Sequence, residues 1–300
     1  MTQPSSLFAP GELLVALGAI CDSPEAARTA GRALGLGAVS SAEHTSVFVL
    51  NCPPYASIHL GVGGQLGGEA ADRVAGFWRV LGLTVPAEPD HLASLLALYA
   101  ELGGAAANVT APRTRRAIEV ARAALLWEHL WPWVPGYSHA VAALGCEALS
   151  GWATMLREVL TADLTRLLAD ASSGPCGTLP LALRAAPAPL GAEEDLDGVL
   201  DGLVAPLRSG IVLTRGSVAR ACQAVGVGLR IAERRFALRA MLEQDPPGTL
   251  NWLGGEAQRW SERHGRAGTD RASRWWVQRA SATAAFAASQ SQGRQVPAGR

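Results

Sequence analysis

The sequence contains no lysine: all 26 of its basic side chains are arginine. They are matched by 26 acidic residues, so the formal net charge at pH 7 is zero. Nucleic acid and anionic lipid both select a positive excess, which the chain as a whole lacks, so neither is expected as a partner. Charge of either sign is scarce at 17%, below the roughly one quarter of ordinary globular chains. Arginine without lysine, beside abundant alanine and glycine, is what GC-rich codon usage produces, so arginine alone carries no functional signal. Cysteine is also sparse. Cys21, Cys52, Cys146, Cys176 and Cys222 are odd in number, widely spaced and without a Cys-x-x-Cys pair. That excludes a disulfide framework or zinc knuckle and points to reduced thiols in a cytoplasm. No apolar run reaches the roughly 18 to 20 residues of a membrane helix. The start, Met1 to Ser6, has no basic residue ahead of an apolar stretch, which argues against a secretory signal. The six histidines form no His-x-x-x-His or His-Glu-x-x-His pair, and no Gly-x-Ser-x-Gly elbow is present. Neither a metal nor a catalytic residue is therefore expected.

What is present is helical patterning. Three hundred residues suffice for one large domain or two average ones. Asp22-Ser23-Pro24-Glu25 reads as a cap with proline at the first helical position, opening a helix to about Leu36. Glu69 to Leu81 is a second helix, closed by Gly82. Glu88-Pro89-Asp90-His91 starts a third, whose Leu92, Leu95, Leu96, Tyr99 and Leu102 share one face and which Gly103-Gly104 should end. Pro112 opens another, running towards His129 and broken by Pro132 and Pro135. Ser138 to Leu168 reads as a long helix interrupted near Gly145 and Gly151. Further helical stretches lie near 194–207, 215–225, 229–243, 252–264 and 269–288. Ser46 to Leu50 is a short apolar run open to strand, helix or loop. The expected class is all-α. Its organisation is a chaperone-sized helical domain over 1–170, a Gly/Pro/Ala-rich linker over 171–193, a C-terminal helical region over 194–290 and a tail over 291–300.

Three constellations invite a chemical reading and carry a plainer one. The Gly-rich stretch Gly61 to Gly68 precedes a helix, as phosphate loops do. It lacks the leading strand and the Gly-Lys-Ser/Thr that such loops need, so an interhelical loop is the simpler reading. Thr214 to Phe236 can be drawn as a helix-turn-helix with Arg230, Arg234, Arg235 and Arg239 on its second helix. A transcription regulator using residues 214–239 is the alternative function it supports; balanced charge favours a hairpin whose arginines pair with acids. Glu128-His129 suggests an acid–base pair, but adjacent helical side chains point apart. The pairs Arg115-Arg116 and Arg234-Arg235 read as solvated helix faces.

An aromatic and polar cluster remains. It comprises Tyr55 to Leu60, Phe77-Trp78, Pro89 to Leu92 and Trp127 to Pro135, with four of the nine tryptophans. Core packing accounts for it. So does a groove with aromatic walls and an acidic rim, suited to a peptide helix carrying arginine beside an apolar run. Asp90, at a helix start, is placed to take charge-assisted hydrogen bonds from a guanidinium, and His91 to switch near neutral pH.

The same residues carry a resemblance. Tyr55-x-Ser57-x-x-Leu60, Phe77-Trp78, Glu88-Pro89-Asp90-His91-Leu92 and Glu128-His129-Leu130-x-Pro132-Trp133 occur in series. Their order and spacing resemble the TorD/DmsD/NarJ family of molybdoenzyme maturation chaperones over roughly residues 10–165. The resemblance implies a TorD-like helical bundle with an added C-terminal region, acting in the cytoplasm without catalysis. The implied partner is an apo molybdoenzyme catalytic subunit or its twin-arginine leader peptide, held until cofactor insertion. The molybdopterin cofactor then belongs to the client, and no cofactor is bound tightly by the chaperone. The implied client-peptide residues are Tyr55, Ser57, Phe77, Trp78, Pro89, Asp90, His91, Trp127, His129 and Trp133. DmsD-type members carry Trp where Tyr55 stands. The chaperone is expected as a monomer or homodimer, and the resemblance assigns no role to residues 194–290.

Overall fold

The computed structural model describes residues 10–169, 175–228 and 233–293. Among them the chain is all-α, with an isolated antiparallel bridge between Tyr55 and His91 in place of any sheet. It divides into two compact units. One comprises the chain up to Ser57 with Leu66–Arg184; the other comprises Ile58–Gln65 with the residues from Ala185 onward.

The first unit begins with α1 (Pro10–Asp22) and α2 (Pro24–Ala33). Ser23 caps α2 by accepting the Ala26 N–H at 3.3 Å, and Pro24 fits the first turn because no intrahelical donor is needed there. The short α3 (Ser41–His44) carries a capping box between Ser40 and Glu43. It runs on into a π-helical segment, Thr45–Asn51. The apolar run 46–50 is therefore helical, with Cys52 N–H reaching Val47 C=O at 2.7 Å. Then follow α4 (Ala56–Leu60), α5 (Gly68–Val80) and α6 (Leu92–Asn108).

Gly103-Gly104 does not end α6. Alanines 105–107 sustain the helix, and Gly103 serves a close approach instead, since a Cβ there would lie 3.2 Å from Arg122 Nε. α1 packs along α6, with Leu14, Leu17, Ile20 and Cys21 buried at helical spacing. Gly18 lets the two approach, for a Cβ on it would sit 3.1 Å from Ala93 Cα.

α7 (Pro112–Ala124) passes into a second π-helical segment, Leu125–Leu130. Pro132 lies in the turn that follows, whereas Pro135 opens α8 (Val134–Ala142) rather than breaking a helix. Gly145, at φ 84°, makes the turn into α9 (Glu147–Ala169). Gly151 interrupts nothing; it lies inside α9 against Leu36. The buried face of α9 contributes Trp152, whose indole donates to Leu17 C=O at 2.9 Å and meets Phe48 edge-on at 5.4 Å. Segment 171–193 contains, where described, the 3₁₀ turn Pro175–Gly177 and α10 (Leu181–Arg184), with Leu183 and Leu190 buried.

The second unit holds α11 (Leu196–Val204), α12 (Pro206–Ser209), α13 (Arg215–Ala224), α14 (Arg234–Gln244), α15 (Pro246–Ala267) and α16 (Arg271–Gly293). α15 and α16 form its most extensive helix pair. Buried His264 sits between Trp260 and Trp276, with ring centroids at 5.4 and 5.5 Å, and its Nε2 meets Gly210 C=O at 2.9 Å. Gly210 adopts φ 71°, and a Cβ there would overlap the backbone of Arg279 and Ala280.

The Gly-rich stretch is a packing element. Gly64, at φ 62°, would place a Cβ 2.7 Å from Val204 C=O. The helix-turn-helix reading required a free basic face on α14. Instead Arg235 pairs with Asp197 and Asp201 of α11, and Arg239 with Asp197 and Glu243. Arg234 donates to Leu213 C=O at 2.8 Å, and Arg230 lies outside the described residues.

Candidate functional site

Two backbone hydrogen bonds staple the segment before α4 to the start of α6. Ala56 N–H donates to Asp90 C=O at 3.0 Å, and Leu92 N–H donates to Pro54 C=O at 2.8 Å. This bridge brings Tyr55, Ser57, Asp90 and His91 together across more than thirty residues of sequence. The Asp90 carboxylate accepts the Ser57 N–H at 3.0 Å. It therefore caps α4 rather than its own helix. His91 is the residue that caps α6, its Nδ1 accepting the Ala93 N–H at 3.2 Å. Ser57 Oγ in turn accepts the Gly67 N–H at 3.0 Å.

The electrostatics follow from burial. His91 is held below the usual histidine range by desolvation, which outweighs the opposing charges of Glu88, Asp22 and Asp90. Its Nδ1 is already engaged as the acceptor for the Ala93 N–H. Tyr55 meets the His91 ring edge-on at 4.8 Å and donates its hydroxyl to Glu88 Oε1 at 2.8 Å. Burial and that bond raise its pKa to about 12.

α5 joins this cluster to the second one. Trp78 donates its indole N–H to Pro89 C=O at 3.4 Å, while Phe77 packs on the His129 ring at 5.0 Å. The His129 ring titrates low, at about 4, because of burial and then the nearby Arg73 charge. Trp133 donates to His129 C=O at 2.8 Å. Trp127 donates to Thr178 C=O at 3.0 Å, and Glu128 accepts the Leu181 N–H at 2.6 Å. Glu128 and His129 thus face different partners, and the acid–base pair is not assembled.

The ten residues singled out by sequence fall into two groups. Ser57, Asp90, His91, Trp127 and Trp133 are buried, whereas Tyr55, Phe77, Trp78, Pro89 and His129 are half-buried. Glu88 is exposed at the rim and is not among the ten. Its sequence signal is its place two residues before Asp90; the hydroxyl of Tyr55 that holds it comes from tertiary structure. Among the described residues no group of three or more His, Cys, Asp or Glu side chains is placed to hold a metal ion. No helix among them is long and apolar enough to cross a membrane.

Residues 26–138 match the family model of the nitrate reductase delta subunit. That match supports the NarJ/TorD-type chaperone family. Neither the curated proteins nor the solved structures gave a match. The matched stretch contains all ten site residues, from Tyr55 to Trp133. It ends before Ala185, from which the larger part of the second unit runs. The family is one of molybdoenzyme maturation chaperones and not a catalytic one. The all-α bundle is the architecture expected of it.

Proposed function

We propose that this chain is a cytoplasmic maturation chaperone that holds the catalytic subunit of a molybdopterin-dependent oxidoreductase, through its leader peptide, until cofactor is inserted. The client segment lies on the half-buried aromatic face of α5. The single observation that carries this reading is the rim itself: exposed Glu88, oriented by Tyr55, precedes Pro89, whose C=O takes the Trp78 indole of α5, where half-buried Phe77 is the preceding residue. A client arginine meets Glu88, and the adjoining apolar run lies along Trp78 and Phe77. Val80 is 85% exposed three residues beyond Phe77 and extends that apolar face.

In this reading the buried group does not touch the client. Asp90 and His91 cap α4 and α6, and Trp127 and Trp133 tie the second π-helical segment to its neighbours. The molybdenum cofactor is cargo of the client, and the chaperone itself carries out no reaction.

The test has two parts. Affinity purification of the tagged chain is expected to bring down a molybdopterin oxidoreductase subunit; its absence from cells that make such an enzyme overturns the reading. Calorimetric titration with a peptide carrying paired arginines beside an apolar run is expected to weaken at least tenfold in Glu88→Gln. Unchanged affinity removes Glu88 from the site.

A further inference from the structure

A separate cavity, of about 380 Å³, lies within the first unit between α6, α7, the start of the second π-helical segment and the C-terminal half of α9. None of the ten aromatic-site residues lines it. Its floor is built on one carboxylate. Asp163 is buried and accepts the Tyr99 hydroxyl at 2.9 Å and Arg122 Nη2 at 2.8 Å, while its other oxygen takes Arg166 Nη2. The Arg122 guanidinium lies 4.1 Å from the Tyr99 ring centroid, and its Nε donates to Tyr99 C=O at 3.4 Å.

Two guanidiniums are therefore held in place before any ligand arrives, which removes part of the ordering cost of binding. These bonds use Nε and Nη2 of Arg122 and Nη2 of Arg166. Among the described residues, the Nη1 group of each remains for a ligand. Arg116 also lines the cavity, 3.7 Å from Glu119. Arg122 and Arg166 against the single Asp163 carboxylate leave a local positive excess, although the whole chain is neutral.

The surroundings extend that excess. α7 carries Arg113, Arg115, Arg116 and Arg122 against Glu119, and none of its 13 residues is buried. Val120, on the cavity wall, is 45% exposed and gives it an apolar lip. A cationic pocket with an apolar lip on a helix that is largely exposed away from α6 fits a carboxylate beside an apolar side chain.

We propose that this cavity docks an acidic peptide segment. One carboxylate enters between Arg122 and Arg166, and the neighbouring apolar side chain rests on Val120. The charge preference is opposite to that of the Glu88 rim, and the inference stands independently of the function proposed there.

The test is fluorescence anisotropy on the full chain with a labelled peptide of alternating glutamate and leucine. The control is the same peptide with glutamine for glutamate. The acidic peptide is expected to bind at least tenfold tighter than the control and to weaken as salt is raised. Arg166→Gln is expected to weaken it at least tenfold; the side chain is 73% exposed, and the neutral replacement sets no like charge against Asp163. Arg116→Gln, at a side chain 44% exposed, provides a second variant. Glu88→Gln is expected to leave this binding unchanged. Equal affinity for the two peptides, or affinity indifferent to both arginine variants, overturns the proposal.

Discussion

Asp90 and Ser57 are 33 residues apart, yet the carboxylate of one caps the helix that begins beside the other, at 3.0 Å. The bond couples two motifs that are separate in sequence. Asp90→Ala leaves the Ser57 N–H buried without an acceptor, which costs about 1–3 kcal/mol. Asp90→Asn keeps an acceptor oxygen and is expected to cost less. Urea denaturation should therefore rank wild type, Asn and Ala in that order, and equal midpoints would remove the capping role.

Acid should weaken the second unit through His264. Its pKa is lowered from 6.5 to about 4, by burial first. The unfolded chain then binds a proton that the folded chain refuses between those values. Stability is full above pH 6.5 and falls as pH drops towards 4, by about 3 kcal/mol for one such group. His129 shares the direction and the window. Urea midpoints measured from pH 7 to pH 4 should fall in wild type and fall less steeply in His264→Gln, where the titrating group is gone.

Asp163 gathers Tyr99, Arg122 and Arg166 on one buried carboxylate. Asp163→Ala strands the partly buried Arg122, whose loss of its partner is worth about 3 kcal/mol or more. Tyr99→Phe removes a single neutral donor and should cost about 1 kcal/mol. Thermal unfolding of the two variants should show the larger drop for Asp163→Ala. A reversed order would mean that Tyr99, not Asp163, organises the cluster.

Gly210 combines a left-handed φ of 71° with a backbone approach to α16 that leaves no room for a side chain. Gly210→Ala suffers both effects and is expected to lose about 2 kcal/mol or more. At Gly82, with φ 72°, a Cβ would meet nothing within 4 Å. Its change to Ala bears only the backbone strain and should lose less. Calorimetric melting of the two variants separates the contributions.

Periodicity and punctuation alone determined the all-α class, several helix starts and the buried face of α6, because these are local properties of spacing, caps and proline. The four motifs in series likewise marked the stretch that matches the chaperone family. Glycine misled where its role was non-local: Gly103 and Gly151 read as breaks, but each sits inside a helix where a neighbour packs close. Only tertiary structure sorted the site into Ser57, Asp90, His91, Trp127 and Trp133 within and Tyr55, Phe77, Trp78, Pro89 and His129 at its edge. It also brought Glu88 to Tyr55 and gathered three arginines from two helices about a separate cavity. Burial and pairing across tens of residues depend on how helices stack, and no local pattern in the chain encodes that distance.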